Sequence, residues 1–218
     1  MMEKLARVRE VREQRLSGGE VAPIAVGPAE GAALCDWVRR EGARETLEIG
    51  LGYAISTLFI CEGLLANGGE ISHVTIDPYQ FESLPGHPPL YDGVGVAALE
   101  EAGVRDLVEL HLERSETALP RLLAEGRTFD LAFIDGNHRF EGVFLDLVYC
   151  GKLLSPGAVV FVDDVQLPAV RKAAQFCVSN LGWTIEDEGS EDEHEWIVLR
   201  TGPTDAFHRP FDSFVEFS

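Results

Sequence analysis

Two apolar runs in this sequence stop on acid. Residues 129–135 read FDLAFID and residues 157–164 read GAVVFVDD, so Asp135 ends one run and Asp163 and Asp164 end the other. His138 follows Asp135 by three residues, in DGNH. Three carboxylates brought together without a cation repel one another and rise in pKa. A hard divalent ion removes that conflict, and an oxygen-only ligand set favours Mg²⁺, Mn²⁺ or Ca²⁺ over zinc. Successive side chains on a strand point to opposite faces, so Asp163 and Asp164 can share one ion only if the chain bends there. Competing roles are a helix cap for Asp164 and a solvent edge for Asp163. His138 titrates in the window where an imidazole can take and return a proton, and it reads as a general base. A fourth metal ligand or a helix-capping group are its other roles.

A second constellation lies nearer the N-terminus. LEIGLGYAIST (47–57) runs from a strand into Gly50 and Gly52 and then into a helix. Glycines there allow a tight turn and a close ligand approach, and the helix start offers free N–H groups. The pattern is neither G-x-G-x-x-G nor G-K-[ST], so a phosphate cradle is not indicated. About twenty-five residues on, HVTIDPYQ (73–80) ends a strand at Asp77. An acid at that place can accept both hydroxyls of a ribose.

The elements that would position these groups alternate. Strands are expected at TLEIG, ISHVTID, LVELHL, FDLAFID and GAVVFVDD, with a helix after each. Ser115 could cap the helix of SETALPRLLAEG. GWTIEDE and HEWIVLR form an antiparallel pair that closes the sheet around an acidic turn, EDEGSEDEHE (186–195), read as solvated. Near-continuous apolar strands indicate a sheet covered on both faces. The fold class is therefore α/β, a doubly wound, Rossmann-like, mostly parallel seven-stranded sheet with an antiparallel last strand. Two helices precede it, giving an N-terminal helical extension over 1–44, a central domain over 45–201 and an aromatic tail over 202–218. The Pro- and Gly-rich segment 80–93 follows the second strand, at the sheet end where ligands bind.

The bulk properties narrow the partners. The 218 residues are 45% hydrophobic and 25% charged, enough for a sizeable core. A formal net charge of −19 opposes nucleic acid and anionic membrane surfaces. Cys35, Cys61, Cys150 and Cys177 form no CxxC and read as buried reduced thiols. The charged N-terminus has no apolar signal core, and no run is long enough to span a bilayer, so a cytoplasmic location is expected.

On these residues the sequence resembles the class I S-adenosylmethionine (SAM) dependent methyltransferases. EIGLGYAISTLFI is similar to that family's first motif and HVTIDP to its second. FDLAFIDGNHRFEGVFLD together with LLSPGAVVFVDD resembles the metal-dependent O-methyltransferases, which include catechol O-methyltransferase relatives and a bacterial group acting on antibiotics and sugars. The resemblance covers roughly residues 46–180. It implies SAM as cofactor, contacted at Glu48, Gly50, Gly52, Asp77, Ser115 and Asp135. It implies Mg²⁺ (or Mn²⁺) on Asp135, Asp163 and Asp164, with His138 as the base. It also implies a small-molecule acceptor with neighbouring oxygens.

Ala54 replaces the usual third glycine, with Tyr53 before it. Asp164 stands where the catechol enzymes often have asparagine. The rival readings are a metal-independent methyltransferase, a nicotinamide-dependent oxidoreductase and a non-catalytic SAM-binding module. Phe207, Phe211, Phe214 and Phe217 could line an acceptor pocket, pack across a homodimer interface or pack on the chain's own core.

Overall fold

The computed structural model describes residues 1–19, 25–82, 90–210 and 212–217. His87 and Phe211 lie outside them. Two compact units divide the chain, residues 1–114 and 115–218. Their strands form one seven-stranded mixed sheet in the order β3-β2-β1-β4-β5-β7-β6, with β7 antiparallel to both neighbours.

The first unit carries β1 (Glu45–Ile49), β2 (Ser72–Ile76) and β3 (Val108–His111), with helices α1 (Met2–Gly18), α2 (Pro28–Arg40), α3 (Ile55–Asn67) and α4 (Val94–Glu101). Parallel pairing sets Leu47 beside Val74 and Ile49 beside Ile76, so β1 and β2 end level with each other. That register brings the glycine turn after β1 next to Asp77 after β2. Helix α1 packs inside this unit. Its Val8 and Val11 are fully buried in one cluster with Leu58, Cys61 and Leu65 of α3 and Leu99 of α4. Arg9 and Arg12 both reach the Glu62 carboxylate, and Arg12 also lies 4.2 Å above the Phe59 ring. Val38 of α2 would stand 2.7 Å from a Cβ added at Gly63, so a glycine is what lets α2 and α3 approach so closely.

The second unit carries β4 (Phe129–Ile134), β5 (Leu154–Val162), β6 (Thr184–Glu191) and β7 (His194–Arg200), with α5 (Ser115–Ala124), α6 (Phe140–Leu153) and α7 (Pro168–Leu181). Phe133 and Phe161 are register partners on β4 and β5, with ring centroids 5.7 Å apart. Trp196 of β7 stacks on Phe161 at 6.4 Å.

The acidic stretch differs from its expectation. Strand β6 runs through most of it, and only Asp192 and Glu193 turn, with Asp192 at φ 54. Every residue of 184–188 is exposed, so the charges sit on an edge strand, where they discourage pairing with another sheet. The described part of the tail packs on its own unit. Phe214 and Phe217 lie 6.4 and 5.8 Å from Phe176 of α7, and Asn180 exchanges two hydrogen bonds with the Val215 backbone.

The four cysteines are buried and unpaired. Among the described residues no helix is long and apolar enough to cross a membrane.

Asp146 of α6 is 0% exposed in this second core. Burial pushes its carboxyl up to about 7, against a smaller opposing effect of the Ser115 hydroxyl. A raised folded pKa means the native state keeps a proton that the unfolded chain releases above about pH 4. This group's contribution to stability is therefore complete below pH 4 and declines up to about pH 7. Asp146→Asn removes the titration. In urea denaturation it is expected to raise stability by about 2–4 kcal/mol at pH 8 and by little at pH 4.5.

Candidate active site

The first cluster is built on the turn after β1. Gly50 and Gly52 adopt φ 102 and φ 50, and Ala54 adopts φ 65. The first two are glycine conformations. Ala54 takes the left-handed region despite its Cβ, at a cost of about 1–2 kcal/mol. The turn still forms because its backbone is tied down. Gly50 N–H donates to Ile76 O at 2.9 Å, Ala54 N–H to Leu51 O at 2.7 Å, and Gly52 N–H to Asp77 Oδ2 at 2.9 Å. Asp77 is 3% exposed. Its Oδ1 accepts from Tyr79 N–H at 2.6 Å, and its Oδ2 also accepts from Gln80 Nε2 at 3.0 Å. Tyr53 and Tyr91 meet edge to face at 5.3 Å beside this turn.

Glu48 stands apart from the other residues expected to touch cofactor. It is 0% exposed. Ser56 Oγ donates to Oε1 at 2.6 Å and Thr57 Oγ1 to Oε2 at 2.5 Å. His73 Nε2 lies 3.1 Å from Oε2, and Thr46 Oγ1 lies 2.9 Å from His73 Nδ1. A carboxylate only accepts, so Nε2 carries a proton toward Glu48. Glu48 thus ties β1 to the first turn of α3 and to β2.

The second cluster is built where β4 and β5 end. Asp163 N–H donates to Ile134 O at 3.1 Å, which holds the two strand ends together. Asp164 then takes φ 57, in the left-handed region. Its N–H donates to Asp163 Oδ1 at 2.5 Å. His138 Nε2 lies 3.0 Å from Asp164 Oδ2 and 3.3 Å from Asp135 Oδ1. The atoms that converge within 4.8 Å are those of Asp135, His138 and Asp164. Asp163 acts on them through its charge, which helps to raise Asp135. Burial is the larger cause of that rise, opposed by the hydrogen bond from His138. His138 is raised in turn, first by that hydrogen bond and then by the charges of Asp135, Asp164 and Asp163, with burial opposing.

Three supporting residues carry no mark in the sequence. Gln166 Nε2 donates to Asp164 Oδ1 at 2.5 Å, and Gln166 Oε1 accepts from Glu195 N–H at 2.8 Å. His194 Nδ1 lies 3.4 Å from Asp164 Oδ1. It starts β7, so antiparallel pairing with β5 returns it to the end of that strand; in the sequence it is hidden in the acidic run. Gln80 is the third. Ser115 begins α5 and faces Asp146.

A family model described as a methyltransferase domain matches residues 47–165. A catechol O-methyltransferase of Mycobacterium tuberculosis is 32% identical over 146 residues, which are 67% of this chain and 59% of that relative. The chain therefore spans about 59% of that relative's length. Solved structures show the same fold. An O-methyltransferase of Bacillus cereus in complex with SAH matches with a TM-score of 0.71 at 20% identity, covering 90% of each chain. An O-methyltransferase of Streptomyces achromogenes involved in tomaymycin synthesis, in complex with SAM, matches with a TM-score of 0.70 at 23% identity, again over 90% of each.

Glu48→Ala would leave Ser56, Thr57 and His73 without their buried acceptor. Chemical denaturation is expected to show a loss of about 3–5 kcal/mol, far more than the same change at an exposed glutamate.

Proposed function

This chain belongs to the methyltransferase-domain family, and from that premise we propose that it transfers the sulfonium methyl of SAM to a hydroxyl oxygen of a small molecule. The names of its relatives and the SAM or SAH held by structural neighbours support O-methyl transfer. In this reading Asp77 accepts from the ribose, and the backbone of Gly50 to Gly52 admits the methionine portion. Ser115 marks the adenine end. Glu48 serves by holding the turn.

The observation that carries the acceptor side is the convergence of Asp135, His138 and Asp164 within 4.8 Å. Asp135 and Asp164 are acidic groups drawn together in a partly buried place, with Asp163 close by. Their donor set fits a divalent cation, Mg²⁺ or Mn²⁺. When bound, such an ion lowers the pKa of an acceptor hydroxyl and orients two neighbouring oxygens. That is why we infer an acceptor with vicinal oxygens. His138 takes the hydroxyl proton as the oxygen forms its bond to the methyl carbon. The carbon–sulfur bond breaks, and the electron pair stays on sulfur as the neutral thioether of SAH. Positioning of donor and acceptor provides much of the rate. Free cysteines and the absence of acceptable nucleic-acid charge complementarity suit a small-molecule enzyme of the cytoplasm.

A specific observation favours a second role for His138, since its Nε2 lies among the converging ligand atoms. The two roles separate experimentally. As a base, His138→Ala is expected to cut turnover by about 10²–10⁴-fold while SAM and Mn²⁺ affinities hold. As a ligand, the same variant loses Mn²⁺ affinity in a direct titration. Asp135→Asn is expected to weaken Mn²⁺ binding by about 10-fold or more while SAM still binds. Full activity of the wild type in excess EDTA would remove the metal from the reading.

A further inference from the structure

The two oxygens of Asp164 are used differently. Oδ2 lies 3.0 Å from His138 Nε2, in the converging cluster. Oδ1 is engaged by other partners. Gln166 Nε2 donates to it at 2.5 Å, and His194 Nδ1 stands 3.4 Å from the same atom. The amide of Gln166 has one orientation. Its Oε1 accepts from Glu195 N–H at 2.8 Å, so the nitrogen is the end that meets Asp164.

Pairing of the loop after β5 with the start of β7 places these two groups. Val165 N–H donates to Glu195 O at 2.9 Å, and Glu195 N–H returns to the Gln166 side chain. Leu167 N–H closes a turn on Asp164 O at 2.9 Å. The Glu195 carboxylate is held in turn by Arg171 of α7 at 2.6 Å. Gln166 and His194 therefore reach Asp164 from backbone that is tied down. Turning the Asp164 carboxylate to present Oδ1 to a ligand would break the Gln166 bond, a charge-assisted one.

We propose that Gln166 and His194 are positioning residues that reserve Asp164 Oδ1, so that Asp164 offers a divalent ion Oδ2 alone and the site prefers Mg²⁺ or Mn²⁺ to Ca²⁺. This deepens the reading of Asp135 and Asp164 as ion ligands and rests on it. The reason lies in coordination chemistry. Ca²⁺ takes about six to eight oxygens at roughly 2.3–2.6 Å and gains from a carboxylate that gives both of its own. Mg²⁺ takes single oxygens in an octahedron at roughly 2.0–2.1 Å. Gln166 fills one acceptor position of Oδ1, and His194 crowds the same atom. A two-oxygen grip by Asp164 is thereby withheld. Gln166 and His194 leave the ion's own ligands untouched and act through Asp164.

Mn²⁺ is the probe, followed by the fall of its free-ion paramagnetic resonance signal as protein is added, with Mg²⁺ and Ca²⁺ as competitors. In the wild type Mg²⁺ is expected to displace Mn²⁺ at a lower concentration than Ca²⁺ does. The reverse order would overturn the preference, and that result needs no variant. Gln166→Met keeps the length of the side chain and removes the donor. It is expected to weaken Mn²⁺ and Mg²⁺ by about 10-fold while Ca²⁺ holds or tightens, so the ratio of Mg²⁺ to Ca²⁺ affinity falls by about 10-fold or more. His194→Leu, at a side chain 41% exposed, is expected to move the ratio the same way by about 3-fold, and it carries the test if Gln166→Met does not fold. An equal loss for all three ions in both variants would make the pair a brace for the loop and overturn the proposal, as would unchanged affinities. A wild type that binds no Mn²⁺ would remove the ion from the reading of the site, and this inference with it.

Discussion

A carboxylate at the end of a buried strand loses its water, and something must take water's place. That constraint recurs through both units. Glu48 is answered by two hydroxyls and an imidazole, and Asp77 by two backbone N–H groups and an amide. Each accepts three hydrogen bonds from within the protein. The left-handed Ala54 follows Gly52, whose N–H Asp77 accepts, and precedes Ser56 and Thr57, which donate to Glu48.

The second unit answers the same demand differently. Asp135 and Asp164 find one shared imidazole, and Asp164 also has Gln166 and His194. Three negative charges remain gathered with Asp163, and Asp135 rises toward its neutral form in consequence. A methyltransferase can use that imbalance. In the proposed reading, a divalent cation held by Asp135 and Asp164 would relieve the repulsion, and His138 would no longer be needed as their counter-charge. Backbone strain at Asp164 fits the same account, since residues forced into sparse conformations cluster where geometry serves chemistry.

Asp146 shows what happens when no such answer is present. It sits in the core of the second unit, and burial raises it further than the nearby Ser115 hydroxyl can offset. The contrast between Asp146 and Glu48 is one of donors. Both are fully buried acids; Glu48 has two hydroxyls and an imidazole at its oxygens, whereas Asp146 is raised chiefly by burial.

Much was legible in the residue order alone. Alternating apolar runs and helices set the α/β class and the placement of the antiparallel pair, because burial on both faces leaves an unbroken apolar strand. Acids at the strand ends, the Gly50–Gly52 turn and His138 could be picked out because local geometry needs those residue types. What the tertiary structure decided was which groups meet. Glu48 is turned inward, and only the fold shows that Ser56 and Thr57 of α3 and His73 of β2 meet its oxygens. Asp164 reaches His138 from a backbone in the left-handed region, which the sequence pattern does not encode. Gln80, Gln166 and His194 are ordinary polar residues in ordinary stretches. Their roles come from contacts between segments far apart in the chain, and hydrogen bonds of that kind leave no period or spacing to read.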